Sequence, residues 1–487
     1  MRIEVIFIFL ARIAQAALNV VALRVLTAYL SPAEAGGYYL ILSIAAGFGG
    51  FLISPGQMYI ARKLHSWAHE RKVIQHLSAF NFYIFGVSLF AFGVIYLLKS
   101  VVDFGAGFSP LSLALVVGGY VYASNWNMTN LPALNMLGYR KSFAVISAST
   151  FLFALLFSFL FIHLFFPAAH IWAAGQILAF VIAGTAAFFT ISGLTGEPSH
   201  LGVVSALPKV KSYSGLYSFA APLTAGALFM WLQNYSYRLI VEKIAGAELL
   251  GYLGVGMGIS VSLASITESL IQQVYFPDFY KNLHGADKRA RAIAWNKLAV
   301  KSVPIYLAAT AFAIVAAPQL TRILVAKSFS GVSVYIALGA VVEMLRMTSN
   351  IVSVGAQSEM KTDILVKPYL WGGIAAVILV YISSQMPRRE ILIPLSLVVS
   401  GMVSFWLMRS GVSKIIDVRL YGRTVRNSLL MSLLFLPFLA LHKPVSMLAA
   451  LGGLAAAGAY LVLLIYLIVF KWAEMDENAE PAGGKVL

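Results

Sequence analysis

Residues 23–40 read LRVLTAYLSPAEAGGYYL, an apolar run that carries one arginine, Arg24, before it is broken at Pro32. A similar phrase, YRLIVEKIAGAELLGYLG, occurs at residues 237–254. When each residue is set against the residue 214 positions later, Arg24 falls on Arg238, and five of the 15 positions from 24 to 38 are identical. Because charged residues are rare in apolar segments, this match indicates an internal repeat.

The repeat predicts a symmetric architecture. The five identities are Arg24/Arg238, Ala33/Ala247, Glu34/Glu248, Gly37/Gly251 and Tyr38/Tyr252. Asn19 also matches Gln233 in its amide group, and a looser second echo places Asn127 opposite Arg346. Because the period spans six predicted helices, both copies enter the membrane in the same direction. We therefore expect two parallel six-helix lobes around a central cavity, with the glycine-containing phrase after each arginine forming a tight outer hairpin.

The composition indicates that lipid is the solvent for most of the chain. Of the 487 residues, 60% are hydrophobic and 11% are charged, and the mean hydropathy is +0.84, whereas soluble proteins carry about 25% charged residues. A net charge of +16 would suggest nucleic acid in a soluble protein. Cytoplasmic loops of membrane proteins collect Lys and Arg, so no nucleic-acid partner is expected here. The sequence contains no cysteine, which excludes disulfides and thiolate metal sites.

Apolar runs near the 20 residues or so needed to cross the hydrocarbon core recur along the chain. They predict 14 helices, at 4–30, 37–61, 76–98, 110–136, 142–166, 170–193, 215–242, 249–275, 295–317, 331–357, 362–384, 391–408, 426–441 and 445–470. The run 426–441 is short and contains Pro437, so 12 or 13 spans remain alternatives. The expected fold class is an all-α polytopic membrane protein.

The predicted helices group into larger segments. These are an N-terminal lobe (1–194), a cytoplasmic linker (195–214), a C-terminal lobe (215–410), two further helices (411–471) and a disordered tail (472–487). With the N-terminus inside, 23 of the 35 Lys and Arg residues fall in cytoplasmic segments and 7 in outer segments. This ratio places both termini in the cytoplasm, although the outer Arg388-Arg389 pair runs against it.

Four arginines within the predicted spans are candidates for binding an anion. Arg12 and Arg346 lie deep in their helices, where a charge costs about 2.5–3.5 kcal/mol. Arg24 and Arg238 lie near outer helix ends, where snorkelling to the headgroups is the alternative. Arginine forks match phosphate, and the aromatic and amide side chains of YVYASNWNMTN (120–130) suit sugars. The predicted substrate-binding set is Arg12, Arg24, Arg238, Arg346, Asn19, Gln233 and Asn127.

Two glutamates within the spans are candidate sites for a coupling proton or sodium ion. Glu343 precedes Arg346 by three residues, so an internal helix ion pair is the alternative role. Glu268 has no partner nearby in the sequence. The chain lacks the G-x-x-x-x-G-K-[ST] phosphate loop and the H-E-x-x-H zinc motif. We therefore expect no catalytic residue, no metal site and no organic cofactor, and a protein that is not an enzyme.

Four stretches, in their order along the chain, resemble one family. They are LRVLTAYLSPAEAGGYYLILSI (23–44), ALNMLGYRKSFAVISAST (133–150), FPDFYKNLHGADKRA (276–290) and APQLTRILVAKSFSGVSVYIALGAVV (317–342). Together they resemble the polysaccharide (O-antigen, Wzx-type) flippases of the multidrug/oligosaccharidyl-lipid/polysaccharide (MOP) exporter superfamily. The resemblance covers nearly the whole chain and is carried by the order and spacing of loose motifs.

The resemblance implies a protein of the bacterial inner membrane with 12 to 14 helices in two lobes and a cytoplasmic N-terminus. It implies alternating-access movement of undecaprenyl-pyrophosphate-linked oligosaccharide from the cytoplasmic to the outer leaflet. Family members line the cavity with cations, a role that Arg12, Arg24, Arg238 and Arg346 could fill. The expected partners are this lipid-linked oligosaccharide, membrane lipids and the polysaccharide polymerase machinery.

Two other functions remain open. A drug or cation exporter of the same superfamily has the two-lobe design but favours a less cationic cavity. A membrane polymerase or glycosyltransferase would act on the same lipid-linked sugar. Such enzymes place their chemistry in a sizeable extramembrane loop, whereas the predicted outer loops of this chain are short.

Overall fold

The computed structural model describes residues 2–102, 104–105, 107–198, 214–283, 286–418, 420, 422–441 and 446–472. Side chains are described at these positions except 2–10, 12–13, 214–222 and 440–441. Over this part of the chain the backbone is almost entirely helical and contains no β-strand, so the predicted all-α fold is confirmed. Most of the predicted linker and the predicted tail lie outside the described residues.

The first half of the described chain contains nine helical segments. They are α1 (Arg2–Tyr29), α2 (Pro32–Gly47), α3 (Ser54–His69), α4 (Val73–Val101), α5 (Pro110–Met136), α6 (Arg140–Leu164), α7 (Ala169–Thr195), α8 (Ser214–Asn234) and α9 (Tyr237–Ala245). A π-helix, Phe48–Ile53, joins α2 to α3, so that residues 32–69 form one continuous helix. Two turn residues at 235–236 separate α8 from α9.

The second half contains seven α-helices among the described residues. They are α10 (Ala247–Leu283), α11 (Lys288–Leu324), α12 (Ser333–Ser358), α13 (Val366–Ser384), α14 (Arg389–Val412), α15 (Arg423–Ser432) and α16 (Met447–Leu467). With α2–α3 and α8–α9 each taken as one helix, the described chain has the 14 predicted helices. Among the described residues, ten helical stretches are long and apolar enough to cross a bilayer. The chain is a multi-pass membrane protein.

Local sequence signals explain where α2 begins. Ser31 caps the helix by accepting a hydrogen bond from the backbone N–H of Glu34 at 3.2 Å, and Pro32 occupies the first turn, where a missing N–H costs nothing. The expectation that the glycine-containing phrase forms the outer hairpin is wrong for this copy. Gly36 and Gly37 lie inside α2, because the serine cap and the proline start the helix before them.

The predicted helix at 426–441 is only partly α-helical. Its α-helix, α15, ends at Ser432, and a 3-10 helix, Leu433–Leu441, continues from there. Pro437 lies within the 3-10 segment. Proline has no N–H to donate, and its ring crowds the carbonyl group four residues earlier, so α-helical geometry does not continue through it.

The chain divides into two compact units, Met1–Gly251 and Tyr252–Leu487. In the first, apolar side chains of α3, α4, α5 and α7 form a buried cluster around Leu64 and Leu77. In the second, the fully buried Trp295 lies in a larger cluster and donates its indole N–H to the Ile351 carbonyl at 2.9 Å. The helices α8 and α9, which begin the second copy of the repeat, lie in the first unit. The predicted lobe boundaries stay a prediction.

An ion pair fastens the end of α12 to the start of α11. Arg291 donates from Nε and Nη2 to the two carboxylate oxygens of Glu359, at 2.6 and 3.0 Å. Such two-point geometry is the strong form of the arginine–carboxylate pair. These hydrogen bonds hold the pKa of Glu359 below its ordinary value. The carboxylate therefore stays charged at neutral pH and continues to accept both bonds.

Within the first unit, the first turns of α2 and α10 cross in backbone contact. A Cβ atom on Gly36 would overlap the carbonyl oxygen of Ala247, and one on Gly251 would overlap the carbonyl oxygen of Pro32. In this contact Gly36 and Pro32 take the places that Gly251 and Ala247 take on the other helix, at an offset of 215 residues, one more than the 214 of the sequence repeat. Each helix therefore presents the same pair of positions to the other, which is the signature of a two-fold contact.

We expect Gly36→Ala and Gly251→Ala each to lower stability by about 1–3 kcal/mol, the usual cost of overpacking, because backbone atoms cannot rotate away as a side chain can. Thermal unfolding of the purified protein in detergent measures the effect.

Gly86→Ala is the matched control, because Gly86 lies inside α4 with no atom within 4 Å of an added Cβ. That change should stabilise the helix by up to about 1 kcal/mol. Equal unfolding temperatures for all three variants would show that the crossing can open without cost.

Candidate functional site

Arg238 lies in the first turn of α9 and is 8% exposed. Its Nη1 donates to the Ser43 hydroxyl of α2 at 3.1 Å, and its Nε donates to the Tyr237 hydroxyl at 3.2 Å. The guanidinium carbon lies 5.4 Å from the ring centroids of Tyr39 and Tyr235, and 5.6 Å from that of Tyr237. We call the three rings of Tyr39, Tyr235 and Tyr237 the tyrosine cage.

Arg238 makes no ion pair with any carboxylate in the described part of the chain; its contacts there are hydroxyls and rings. Glu242 lies one turn later on α9, but its Oε2 accepts a hydrogen bond from the backbone N–H of Gly105 at 2.9 Å. Cation–π contacts stabilise a desolvated guanidinium by about 2 kcal/mol. They leave its charge uncompensated, so the site has the electrostatic character to accept an anion.

Neighbouring helices hold the tyrosine cage in place. Trp231 of α8 donates its indole N–H to the Ser43 carbonyl at 2.8 Å, which fixes α2 against α8. A Cβ atom on Gly47 would lie 3.0 Å from that indole nitrogen, so the small residue allows the approach. On α2, the Tyr38 hydroxyl donates to the Gln176 side chain of α7 at 2.9 Å. The site is therefore built from α2, α8 and α9, together with the two-residue turn before α9, where Tyr235 lies.

The other predicted ligands of the first unit do not join Arg238 in its described contacts. Arg24 and Asn19 lie on α1 with exposed side chains, and Gln233 is half-buried on α8. Arg12 lies in α1, and its side chain is outside the described residues. The Gln15 amide, also on α1, donates to Ser147 of α6 at 2.6 Å, which fastens α1 to the unit. Binding roles for these side chains stay predictions.

Asn127 is buried where α5 packs on α7. A Cβ atom on Gly184 of α7 would lie 3.0 Å from the Asn127 backbone nitrogen, so the helices meet closely here. Within the described residues, the Asn127 amide nitrogen has no hydrogen-bond partner. The side chain is 7% exposed and is therefore a packed residue in this conformation.

The second unit contains a network of buried and partly buried charges. Arg346 of α12 donates from Nε to Glu343 at 2.7 Å and from Nη2 to Glu268 of α10 at 2.9 Å. The other Glu268 oxygen accepts a hydrogen bond from the Asn350 amide at 2.8 Å. The pair expected from the spacing of Glu343 and Arg346 is formed, and Glu268, without a partner in sequence, receives two from α12. We call these four residues the acidic network.

The acidic network carries one guanidinium and two carboxylates, and is therefore net negative when all three are ionised. The hydroxyl-bearing rings of Tyr306 on α11 and Tyr369 on α13 lie within electrostatic range of it. A proton or a monovalent cation would balance the charge, whereas an added phosphate would meet an arginine already paired twice. The surroundings of Arg346 therefore suit binding of a proton or cation better than binding of an anion.

Most of the partners that define these sites were not predicted from the sequence. The tyrosine cage and Ser43 were not singled out, although the motif YSYR places two tyrosines beside Arg238. Asn350 was not singled out either, although it lies four residues after Arg346 on the same helix face. Spacing could have indicated these local neighbours. Nothing local indicates Ser43 or Glu268, which reach their arginines across 195 and 78 residues.

Known structures share this fold over most of their length. The lipid II flippase MurJ in an inward closed conformation matches with a TM-score of 0.65 and 12% identity, covering 96% of this chain and 98% of that chain. An inward-facing multidrug resistance MATE family transporter of the MOP superfamily matches at 0.57 with 16% identity, over 82% and 95%. A MATE structure in the straight conformation matches at 0.52 with 16% identity, over 84% and 95%. No family model and no curated protein sequence matches the chain.

The chain therefore has the fold of the MOP superfamily transporters, as the resemblance of its sequence predicted. At these identities the likeness defines the fold. The function and the cargo depend on the sites.

We expect Arg346→Ala to destabilise the second unit by up to about 3 kcal/mol, because it leaves the buried Glu343 and the partly buried Glu268 without their cation. Glu268→Gln should cost much less, because Arg346 keeps Glu343. The triple change that also converts both glutamates to glutamine should regain most of the loss. Unfolding temperatures in detergent at neutral pH measure the series, and a triple variant no more stable than Arg346→Ala would contradict the electrostatic account.

Proposed function

We propose that this protein is an alternating-access flippase that moves undecaprenyl-pyrophosphate-linked oligosaccharide from the cytoplasmic to the outer leaflet of a bacterial inner membrane. One observation carries the proposal. Arg238 is a buried guanidinium whose partners, among the described residues, are hydroxyls and aromatic rings alone. A pyrophosphate supplies the oxygen pairs that a guanidinium fork grips.

The surroundings of Arg238 suit a cargo that must be released. Three rings and two hydroxyls hold the cation in place without neutralising it, so the site needs little reorganisation when an anion arrives. If a carboxylate stood in place of the Ser43 or Tyr237 hydroxyl, it would compete with the cargo for Arg238. In this proposal Arg24 and Arg12 lie along the same route in α1, with the amides of Asn19 and Gln233 beside it.

A drug or cation exporter is the second candidate, because MATE transporters share the fold. An uncompensated arginine repels a cationic drug, so Arg238 favours the anionic cargo. The membrane-enzyme alternative loses support because the neighbours reported above are a flippase and transporters. In this proposal the protein is surrounded by membrane lipids and has both termini in the cytoplasm. It would also contact the polysaccharide polymerase machinery.

The acidic network is the proposed site of coupling. Its net negative charge can be balanced by a proton or a sodium ion, and α10 and α12 both contribute to it. Occupation by a cation would weaken the hold of the two carboxylates on Arg346, so binding can change how α10 and α12 pack. In this way an ion gradient could drive the cycle without an ATP motor in the chain.

The anion role of Arg238 predicts a loss of transport. In vesicles containing the purified protein and undecaprenyl pyrophosphate linked to a fluorescent disaccharide, we expect Arg238→Ala to slow exchange between leaflets about tenfold or more, the equivalent of a lost charged hydrogen bond. Arg238→Lys should retain part of the rate, because it keeps the charge and loses the fork. A membrane-impermeant quencher measures the rate.

Arg388→Ala is the matched control, because Arg388 is exposed at the start of α14. Its rate should equal that of the wild type. Normal exchange by a folded Arg238→Ala protein would end the proposal, and export of a cationic dye by the wild type would favour the exporter.

The coupling role of the acidic network predicts altered ion dependence. In the same vesicles, a proton or sodium gradient should accelerate the wild type, and Glu268→Gln and Glu343→Gln should weaken that acceleration at similar protein content. Glu248→Gln, at an exposed position in the first turn of α10, provides the control. An unchanged response of both network variants to pH and sodium would remove the glutamates from coupling.

A further inference from the structure

A groove between α3 and α5 in the first unit has no role in the sites described above. It encloses a cavity of about 220 Å³, smaller than the 300–1,000 Å³ or so of pockets for drug-sized ligands. Its lining includes Ser54, Gln57, Met58, Met128, Thr129 and Pro132, and contains no charged residue. The groove therefore has the size for one small ring and no group to attract a phosphate.

A fixed amide forms the polar floor of the groove. The Gln57 side-chain nitrogen donates to the Thr129 hydroxyl at 3.1 Å and approaches the Asn125 side-chain oxygen at 3.4 Å. Thr129 in turn donates to the Asn125 carbonyl at 2.8 Å. Because both hydrogens of the Gln57 amide are directed to α5, the orientation of the amide is set by the protein.

The same floor leaves hydrogen-bonding groups available to a ligand. No hydrogen bond from the described residues reaches the Gln57 carbonyl oxygen, and the hydroxyl of Ser54 has no partner there either. Both side chains are half-buried. The two residues are three apart on α3, so they lie side by side on one helix face. The groove thus offers a ligand two neutral groups. The Gln57 carbonyl oxygen can accept a hydrogen bond, and the Ser54 hydroxyl can both donate and accept one.

Helix irregularities on both sides shape the groove. The π-helix Phe48–Ile53 ends immediately before Ser54, and π-bulges are frequent at functional sites. Across the groove, Pro132 inside α5 cannot donate to the carbonyl of Met128 one turn earlier. Pro132 and Met128 both line the cavity. The Met128 carbonyl at its wall therefore lacks the N–H that would bond to it in a regular helix.

The walls are apolar and adaptable. Met58 and Met128 are 47% and 61% exposed, and thioether side chains adjust to the shape of a ligand. A sugar ring has hydroxyl edges for the amide and serine, and C–H faces for the thioethers. A prenyl or acyl chain would instead bury the Gln57 and Ser54 oxygens without partners, at a cost of about 1–3 kcal/mol each.

We propose that this groove binds a neutral sugar ring of the glycan carried by the lipid-linked cargo. The proposal rests on the flippase function and adds a sugar subsite made by Gln57, Ser54 and the methionines. Arg238 would hold the charged link of the cargo, and the groove would take part of its uncharged glycan.

The absence of native cysteine allows a direct test. Ser54→Cys in the otherwise wild-type chain should react with a water-soluble maleimide, because a thiol must ionise in water to react. Leu89→Cys, at an exposed apolar position of α4, should not react in vesicles. Undecaprenyl pyrophosphate linked to the fluorescent disaccharide should slow the labelling of Ser54→Cys, whereas undecaprenyl pyrophosphate alone should leave it unchanged.

Adding Gln57→Leu should raise the cargo concentration needed for half protection about tenfold, the value of one lost hydrogen bond. Gln385→Leu, at an exposed position after α13, is the matched control and should leave it unchanged.

Three results would overturn the sugar subsite. They are failure of Ser54→Cys to label, equal protection by both lipids, and protection that is insensitive to Gln57→Leu. The flippase proposal is judged separately, by exchange of the same lipid in wild-type and Arg238→Ala vesicles. Loss of the subsite with exchange that depends on Arg238 would leave the flippase in place.

Discussion

A charge enclosed by helices has to be solvated by the protein, and this requirement decides the surroundings of the buried Arg238 and the partly buried Arg346. Arg346 receives two carboxylates and becomes part of a network with a net negative charge. Arg238 receives three rings and two hydroxyls and keeps its positive charge. The two residues were predicted as members of one cationic set. Their partners give the two sites opposite charges. The site of Arg238 in the first unit is positive, and the site of Arg346 in the second unit is negative.

Much of the fold could be predicted because lipid imposes a simple rule on sequence. A span must be apolar over a fixed length, so most predicted runs overlap an observed helix and end within about eight residues of its ends. The rule fails where local chemistry intervenes. The segment around Pro437 is a 3-10 helix instead of an α-helix. The Ser31 cap starts α2 before Gly36 and Gly37, so these glycines lie inside the helix. Hydrophobicity carries no information on either point.

The candidate sites were less predictable, because their decisive contacts are remote in sequence. The Glu343–Arg346 pair follows from spacing alone, but Glu268 reaches Arg346 only through the packing of α10 on α12. Ser43 meets Arg238 through the packing of α2 on α9. Such partners depend on the angle and depth at which helices cross. The repeat indicated the crossing of α2 and α10 only approximately, because its 214-residue offset pairs Gly37 with Gly251, whereas α2 and α10 touch at Gly36 and Gly251.

The two-fold character of that crossing bears on the origin of the tyrosine cage. A duplicated chain starts with equal residues on both sides of its symmetry, and Arg24 and Arg238 are such a pair. Arg24 stays exposed on α1, whereas Arg238 is buried among rings supplied by α2 and by the helix break before α9. The matched residues Arg24 and Arg238 therefore have different surroundings. Burying the Arg238 cation away from water costs free energy. Under the proposed function, binding of an anionic cargo would offset that cost at Arg238.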